Sequence, residues 1–398
     1  MKLSGRIGRI KPSATLSINA KANGLKRSGI NIINFGVGEP DFDTPQNIRD
    51  AAIQSICNGK TRYTAVGGID ELKDAVANSV KADYGFACGR ENVLISCGGK
   101  HALYNLFMTM LDPGDEVIIP SPYWVSYPDM VELADGKPVI VTCPEKDGFI
   151  LGPESLEKAI TPKTRFLILN SPSNPTGKYY GPDELRALAE VLLRHENVLI
   201  VSDDIYYRIL FGGHKWVSMG MVEEKLRDRI FIINGVSKSY CMTGWRIGYL
   251  IGDPGVIKAA TDFQSQVTSN ATSISQWASV EALIGNQKPA VDMVQIFEQR
   301  CKRVLERISD LPEVTCTKPD GAFYVFPNFS AHFGKLFKGR TINGSLDLAG
   351  YLMEEAHVAV VPGGAFGEDN CLRFSYALSM EEIDQGFDAV KRALKKLG

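Results

Sequence analysis

Lys238 and Arg246 stand eight positions apart in the segment Ser237-Lys238-Ser239-Tyr240-Cys241-Met242-Thr243-Gly244-Trp245-Arg246-Ile247-Gly248-Tyr249. The segment follows Arg229-Ile230-Phe231-Ile232-Ile233-Asn234, an apolar run of the kind a buried strand shows. Open α/β sheets bind ligands just past the carboxyl ends of their strands, so Lys238 falls where chemistry is done. An amine there, desolvated and near another cation, has a lowered proton affinity and can form a Schiff base with a carbonyl. Arg246, bracketed by Gly244 and Gly248, can clamp a phosphate through two N–H groups. An aldehyde for the lysine and a phosphate for the arginine together suggest pyridoxal 5′-phosphate. A lone lysine after a strand is commonly a solvated loop charge, so the reading depends on what else the chain places around it.

Five further places carry chemistry of their own. Cys97-Gly98-Gly99-Lys100 is a Gly-rich turn opening a helix, and free N–H groups at such an end make an anion site. Trp124 is either core or a plate that stacks on a flat ring. Asn174, in Ser171-Pro172-Ser173-Asn174-Pro175-Thr176-Gly177, is either turn chemistry or an amide aimed into a site. Arg373, within an apolar run, is either an edge residue or a carboxylate fork. Asp203 ends another apolar run. A carboxylate there is costly unless paired, and a pyridinium N–H is the partner it fits.

These residues need a frame. Helices are expected at 16–27, 46–58, 101–111, 153–160 and 182–195. Strands are expected at 30–35, 92–96, 116–120, 138–143, 165–170, 197–202 and 248–252. Apolar periodicity marks 255–310 as one long helical region, and from about residue 312 the chain reads as a smaller α+β unit. With 398 residues, 44% hydrophobic and 23% charged, the chain is long enough for two domains. A net charge of −2 favours neither nucleic acid nor anionic membrane. Eight cysteines without CxxC pairs and five histidines without zinc spacing argue for a reducing compartment and no metal. No apolar run reaches membrane-spanning length and no signal-peptide core is present, so a cytoplasmic location is expected.

The lysine string closely resembles that of class I aminotransferases, the aspartate aminotransferase family of PLP fold type I. Gly38-Glu39-Pro40-Asp41-Phe42-Asp43-Thr44-Pro45, the Asn174-Pro175-Thr176-Gly177 motif and Cys371-Leu372-Arg373-Phe374-Ser375-Tyr376-Ala377 carry the same resemblance in the same order. It implies a large domain, 46–288, with a mixed, mostly parallel seven-stranded sheet, and a small α+β domain from 1–45 and 289–398. It implies pyridoxal 5′-phosphate linked to Lys238 and held by Gly98, Gly99, Lys100, Ser237 and Arg246. Trp124 stacks on the ring, Asp203 supports its nitrogen, and Tyr206 and Asn174 meet its 3′-oxygen. Tyr63 reaches the phosphate bound in a second subunit, which makes a homodimer. Arg373, Asn174 and the Gly38 backbone grip the substrate carboxylate, and Lys238 serves as base at Cα. Gly98 and Lys100 stand where some relatives have hydroxyl residues, and Asp204 where glutamate is frequent.

Ile10-Lys11-Pro12-Ser13-Ala14-Thr15 resembles the bacterial subgroup with aspartate and sometimes prephenate activity, so Lys11 is expected near a distal carboxylate. No acidic residue precedes Glu39, a pattern shared with transit peptides. The resemblance runs through this stretch, which is therefore expected to be mature protein. The reading is an aminotransferase acting on an L-amino acid, aspartate foremost, and 2-oxoglutarate. An aromatic, methionine or glutamate–prephenate aminotransferase is the alternative, then a C–S lyase on the same fold. A non-enzymatic regulator would carry a DNA-binding helix-turn-helix ahead of the fold, and here the fold begins almost at once.

Overall fold

The computed structural model describes residues 2–5, 7–10 and 14–397, with side chains from residue 17 onward in the last range. Seven strands form the central sheet: β1 (Val93–Ser96), β2 (Glu116–Ser121), β3 (Lys137–Thr142), β4 (Thr164–Asn170), β5 (Leu199–Asp203), β6 (Ile230–Gly235) and β7 (Gly248–Ile251). Their spatial order is β1-β7-β6-β5-β4-β2-β3. All neighbouring pairs are parallel except the two that β7 makes, with β1 and with β6. The central strands are apolar on both faces because helices cover both, as parallel sheets require. Helices Gln46–Cys57, Asp70–Tyr84, Pro182–Arg194 and Ser273–Ile284 contribute to one apolar core, and Gly99–Met110 and Pro254–Val267 to the other.

A separate core gathers helices Lys288–Ser309, Ser345–Glu355 and Met380–Leu394 around a three-stranded antiparallel sheet. That sheet consists of β8 (Tyr324–Val325), β9 (Val361–Pro362) and β10 (Leu372–Ser375), with β10 in the middle. Ile33–Asn34 pairs in parallel with Val358–Ala359, and the Ser375 N–H donates to the Phe35 carbonyl, which ties the N-terminal segment to this unit. Among the described residues no helix is long and apolar enough to cross a membrane.

The expected long helix at 255–310 is three helices: Pro254–Val267, Ser273–Ile284 and Lys288–Ser309. Ser269 adopts φ +62, which ends the first, and Gly285 ends the second. Pro289 falls in the first turn of the third, where its missing N–H costs nothing. The apolar period survives these breaks because each helix turns a face to a core, so periodicity alone hides them. The expected strand at 30–35 shortens to Ile33–Asn34, since only that stretch finds a pairing partner.

Candidate active site

The carboxyl ends of β1, β2, β4, β5 and β6 lie along one edge of the sheet, because these strands are parallel. β7 runs the other way, so the residues just before it arrive at that same edge. A cavity of about 450 Å³ opens there, within the range of small-molecule sites. Lys238, Asp203, Tyr206, Gly99, Lys100, Trp124, Asn174, Ser237, Arg246, Gly38 and Arg373 all line it.

Lys238 follows β6, and its half-buried amine donates to the Gly38 carbonyl at 2.5 Å. Its proton affinity falls to about 8, mainly by burial. Glu39 and Asp203 oppose that fall, and the charges of Arg373 and Arg246 add to it. Asp203 ends β5 and is 6% exposed. Tyr127 Oη donates to its Oδ2 at 2.5 Å and the Ile205 N–H reaches Oδ1 at 3.4 Å. Burial pushes the Asp203 carboxyl up to about 6, against the Tyr127 hydroxyl, the Ile205 N–H and Lys238. Asp204, its neighbour, is fully buried and takes hydroxyls from Tyr84 and Ser202, both at 2.7 Å. Burial raises it to about 7.

A chain of amides joins the strand ends to Arg373. Asn170 Nδ2 donates to the Asp203 carbonyl and its Oδ1 accepts the Asn174 N–H, both at 2.9 Å. Asn174 Oδ1 accepts Arg373 Nη1 at 3.0 Å, and Arg373 Nη2 donates to the Gly36 carbonyl at 2.8 Å. Arg373 Nε has no partner among the described residues, although the side chain is buried. β10 is buried throughout, so Arg373 is no surface-edge residue. The rings of Tyr324 and Phe366 lie 4.7 and 5.1 Å from its guanidinium carbon.

The Gly-rich turn and Arg246 meet at the other end of the cavity. Gly98 has φ +93, and a Cβ there would fall 2.5 Å from Arg246 Nη2, so only glycine leaves room for the guanidinium. Arg246 itself sits at φ +57, an uncommon conformation for a side chain of its size. It donates to the Thr243 and Cys97 carbonyls at 2.9 and 3.2 Å. Gly99 begins the helix Gly99–Met110, whose free N–H groups face the same space. Lys100 Nζ lies 4.8 Å from the centre of the Trp124 ring, and burial followed by Arg246 lowers its proton affinity. Trp124 is a wall of the cavity rather than core, with its ring set edge-on to Tyr127.

Tyr63 is 92% exposed and does not line the cavity of its own chain. Lys11 lies outside the described residues. Sequence reasoning missed Tyr127, which holds Asp203, and Tyr324, whose hydroxyl meets that of Tyr206 at 2.9 Å. It also missed the contact of Thr243 Oγ1 with Glu39 at 2.5 Å, which closes one rim. Tyr127 stood three places after Trp124 in a segment already singled out. Tyr324 gave no signal, since an aromatic in a short apolar strand reads as core.

A family model described as aminotransferase class I and II matches residues 30–390. A Rickettsia bellii protein named probable aspartate/prephenate aminotransferase is 50% identical over 396 residues, 99% of each chain. The aspartate aminotransferase of Geobacillus stearothermophilus is 47% identical over 395 residues, again 99% of each. Among solved structures, the aspartate aminotransferase from Rhizobium meliloti superposes with a TM-score of 0.96 at 43% identity, covering 100% of both chains. That of Thermus thermophilus with maleate gives 0.91 at 40% identity, covering 99% of this chain and 100% of the other.

Proposed function

The chain belongs to the class I and II aminotransferases, and from that premise we propose that it moves an amino group between an L-amino acid, aspartate foremost, and 2-oxoglutarate, with pyridoxal 5′-phosphate in the cavity. One observation carries the reading. An amine, two guanidinium groups and a buried carboxylate converge on a single cavity of about 450 Å³, as Lys238, Arg246, Arg373 and Asp203.

The residues fit the cofactor. Asp203 is a buried acid held by a neutral hydroxyl, and a cationic ring N–H is the partner that would keep it ionised. The Arg246 guanidinium, seated against Gly98 where any side chain would clash with it, together with Ser237 and the start of the helix at Gly99, suits a phosphate. When bound, pyridoxal 5′-phosphate supplies an aldehyde that condenses with amines and a ring that draws electron density from the carbon bearing the substrate nitrogen.

The chain's own residues do the rest. Lys238 has a proton affinity low enough to be partly neutral at mildly alkaline pH, so its nitrogen can act as a nucleophile and then as a base toward the Cα proton. Asp203 would hold a proton at the ring nitrogen of the bound cofactor. Arg373 exchanges its contacts with Asn174 and the Gly36 carbonyl for the substrate carboxylate, with Asn174 as second donor. Fixing that carboxylate orients the Cα–H bond toward Lys238, which is positioning used as catalysis. Tyr206 and Tyr324 form a hydroxyl pair facing the cavity, ready to donate to a phenolic oxygen.

Lys100, expected from the sequence at the phosphate, is read here toward the substrate side chain instead, because its ammonium lies over the Trp124 ring in the cavity, and that further cation favours aspartate. Lys11 is a second candidate for the distal carboxylate. The Thermus thermophilus relative was solved with maleate, a four-carbon dicarboxylate, which agrees with this choice. The C-terminal unit's own core, apart from the two on the faces of the large sheet, supports a cofactor-holding domain at 46–288 and a second at 1–45 with 289–398. The enzyme acts in the cytoplasm as a homodimer in which Tyr63 completes the other subunit's phosphate site. In support, Tyr63 is fully presented to solvent on a segment bound at Arg62 by Ser273 and at Thr64 by Gln276.

The test is an amino-donor panel with 2-oxoglutarate. Aspartate is expected to give the highest kcat/KM. A preference for phenylalanine, methionine, or glutamate with prephenate would overturn the substrate. Ammonia and pyruvate released from cystathionine without any acceptor would overturn the reaction.

A further inference from the structure

Gln264 lies on the helix Pro254–Val267, wholly buried and away from the cavity lining. A buried carboxamide is costly unless each of its groups finds a partner. Gln264 finds four. Its Nε2 donates to the Val66 and Ile95 carbonyls, both at 2.9 Å. Its Oε1 accepts Ser96 Oγ at 2.6 Å and Asn105 Nδ2 at 2.8 Å. Two carbonyls on one side and two donors on the other leave one orientation for the amide. Ser96 and Asn105 are wholly buried too, so water does not substitute for any of them.

The four contacts point two ways. Ile95 and Ser96 end β1 and lead into Cys97 and Gly98, the turn beside Arg246. Asn105 belongs to the helix that opens from that turn. Val66 belongs to the segment that carries Tyr63. That segment is pressed onto β1: the Ile95 N–H donates to the Gly67 carbonyl at 3.0 Å, and a Cβ on Gly68 would lie 2.3 Å from Ile95 Cγ1. A second buried glutamine, Gln276, takes the Ile69 N–H at 2.8 Å and donates to Thr64 Oγ1 at 3.1 Å. The segment is thus held at both ends while Tyr63 stands in solvent.

We propose that Gln264 is a positioning residue for two active sites at once: it fixes the phosphate turn of its own subunit and, through Val66, the Tyr63 segment that its subunit lends to the other. The inference rests on the dimer reading above. It makes the two halves of one phosphate site, contributed by different subunits, depend on the same buried amide in each.

Hybrid dimers test it. One subunit carries Lys238→Ala, so borohydride can fix cofactor only in the other subunit's site. The fixable colour that survives dilution then reports cofactor release from that site alone. Placing Gln264→Met on the Lys238→Ala subunit leaves the reporting site's own turn unaltered. Release from it is expected to quicken by about tenfold, the scale of one or two lost buried hydrogen bonds. Tyr63→Phe on the same subunit is the control for the dimer reading. If Tyr63→Phe quickens release and Gln264→Met does not, the inference is overturned and the dimer stands. If neither does, the dimer reading fails and takes the inference with it. Gln264→Glu serves as the second variant, since it keeps the Ser96 and Asn105 contacts but sets a carboxylate oxygen against the Val66 and Ile95 carbonyls. It is expected to quicken release in the same trans arrangement, and no change there would overturn the proposal.

Discussion

Replacing Asp203 with asparagine should alter how the cofactor-free enzyme responds to pH. The Asp203 carboxyl is pushed from 3.8 up to about 6, chiefly by burial. The folded state therefore holds its proton more tightly than the unfolded chain does. Stability from this group is whole below about pH 4 and is lost as pH rises through about 6. At about 1.4 kcal/mol for each tenfold change in proton affinity, the loss is about 3 kcal/mol. Asp203→Asn has no proton to lose, so its unfolding free energy should fall less across that window. Asp204 is raised to about 7 chiefly by burial, with the Asp203 charge adding to it, so the variant also loses less at Asp204 and the difference between the two proteins widens. The measurement is urea unfolding of both apoproteins at several values from about pH 4 to about pH 8. The wild-type curve should drop further than the variant's by at least about 3 kcal/mol. Whatever fixed cost the new amide brings shifts the variant's curve without changing its slope. With cofactor bound, a cationic ring nitrogen beside Asp203 should flatten the wild-type curve. Parallel apoprotein curves would mean that Asp203 titrates as it does in water, and the argument for a ring-nitrogen partner would lose its footing.

Three further outcomes follow from the same geometry. Capture of pyridoxal 5′-phosphate by the apoenzyme, followed by the visible band that borohydride abolishes, should speed up through about pH 8 as the Lys238 amine loses its proton. Lys238→Ala should give no fixable band at any pH, and a flat capture rate in the wild type would contradict the lowered proton affinity. Arg373→Lys should raise KM for all amino donors alike by about 10- to 100-fold, the worth of a charge-assisted paired contact, with cofactor affinity unchanged. A loss confined to dicarboxylates would move Arg373 to the side-chain end of the site. Lys100→Ala and Lys11→Ala, compared by steady-state kinetics, should each raise KM for aspartate far more than for phenylalanine. Equal effects on both donors would remove that lysine from side-chain recognition.

Much of this site could be read from the sequence because its residues sit at punctuation. Asp203, Asn174 and Lys238 each follow an apolar run that becomes a strand, and a polar group in that place stands out against its neighbours. What could not be read is the set of contacts that give those residues their properties. The Lys238 amine meets the Gly38 carbonyl 200 positions away, and Arg373 meets the Gly36 carbonyl 337 positions away. Backbone acceptors carry no mark in a sequence. Tyr127 and Tyr324 were hidden for the opposite reason, since a buried tyrosine looks like any other apolar residue until its hydroxyl finds a partner. The breaks near Ser269 and Gly285 were hidden by an apolar period that continues through them.

The reversal of β7 is what puts the Lys238 amine and the Arg246 guanidinium into one site. In a wholly parallel sheet the connection after β6 would cross a face and return at the far edge, and only its first residues would reach the cavity. Here the chain turns back at once. Gly235 and Gly248 are paired across the antiparallel ladder, so the loop between them leaves and re-enters the sheet at the carboxyl edge. Lys238 falls near the start of that loop and Arg246 near its end. β7 then pairs on its other side with β1, which sets Ser96 beside Gly248 and brings the Gly98 turn against Arg246. The left-handed backbone at Arg246 belongs to the same return, because the chain must re-enter the sheet while the guanidinium turns toward the turn. A strand inserted the other way up would keep every residue of the segment and lose the site.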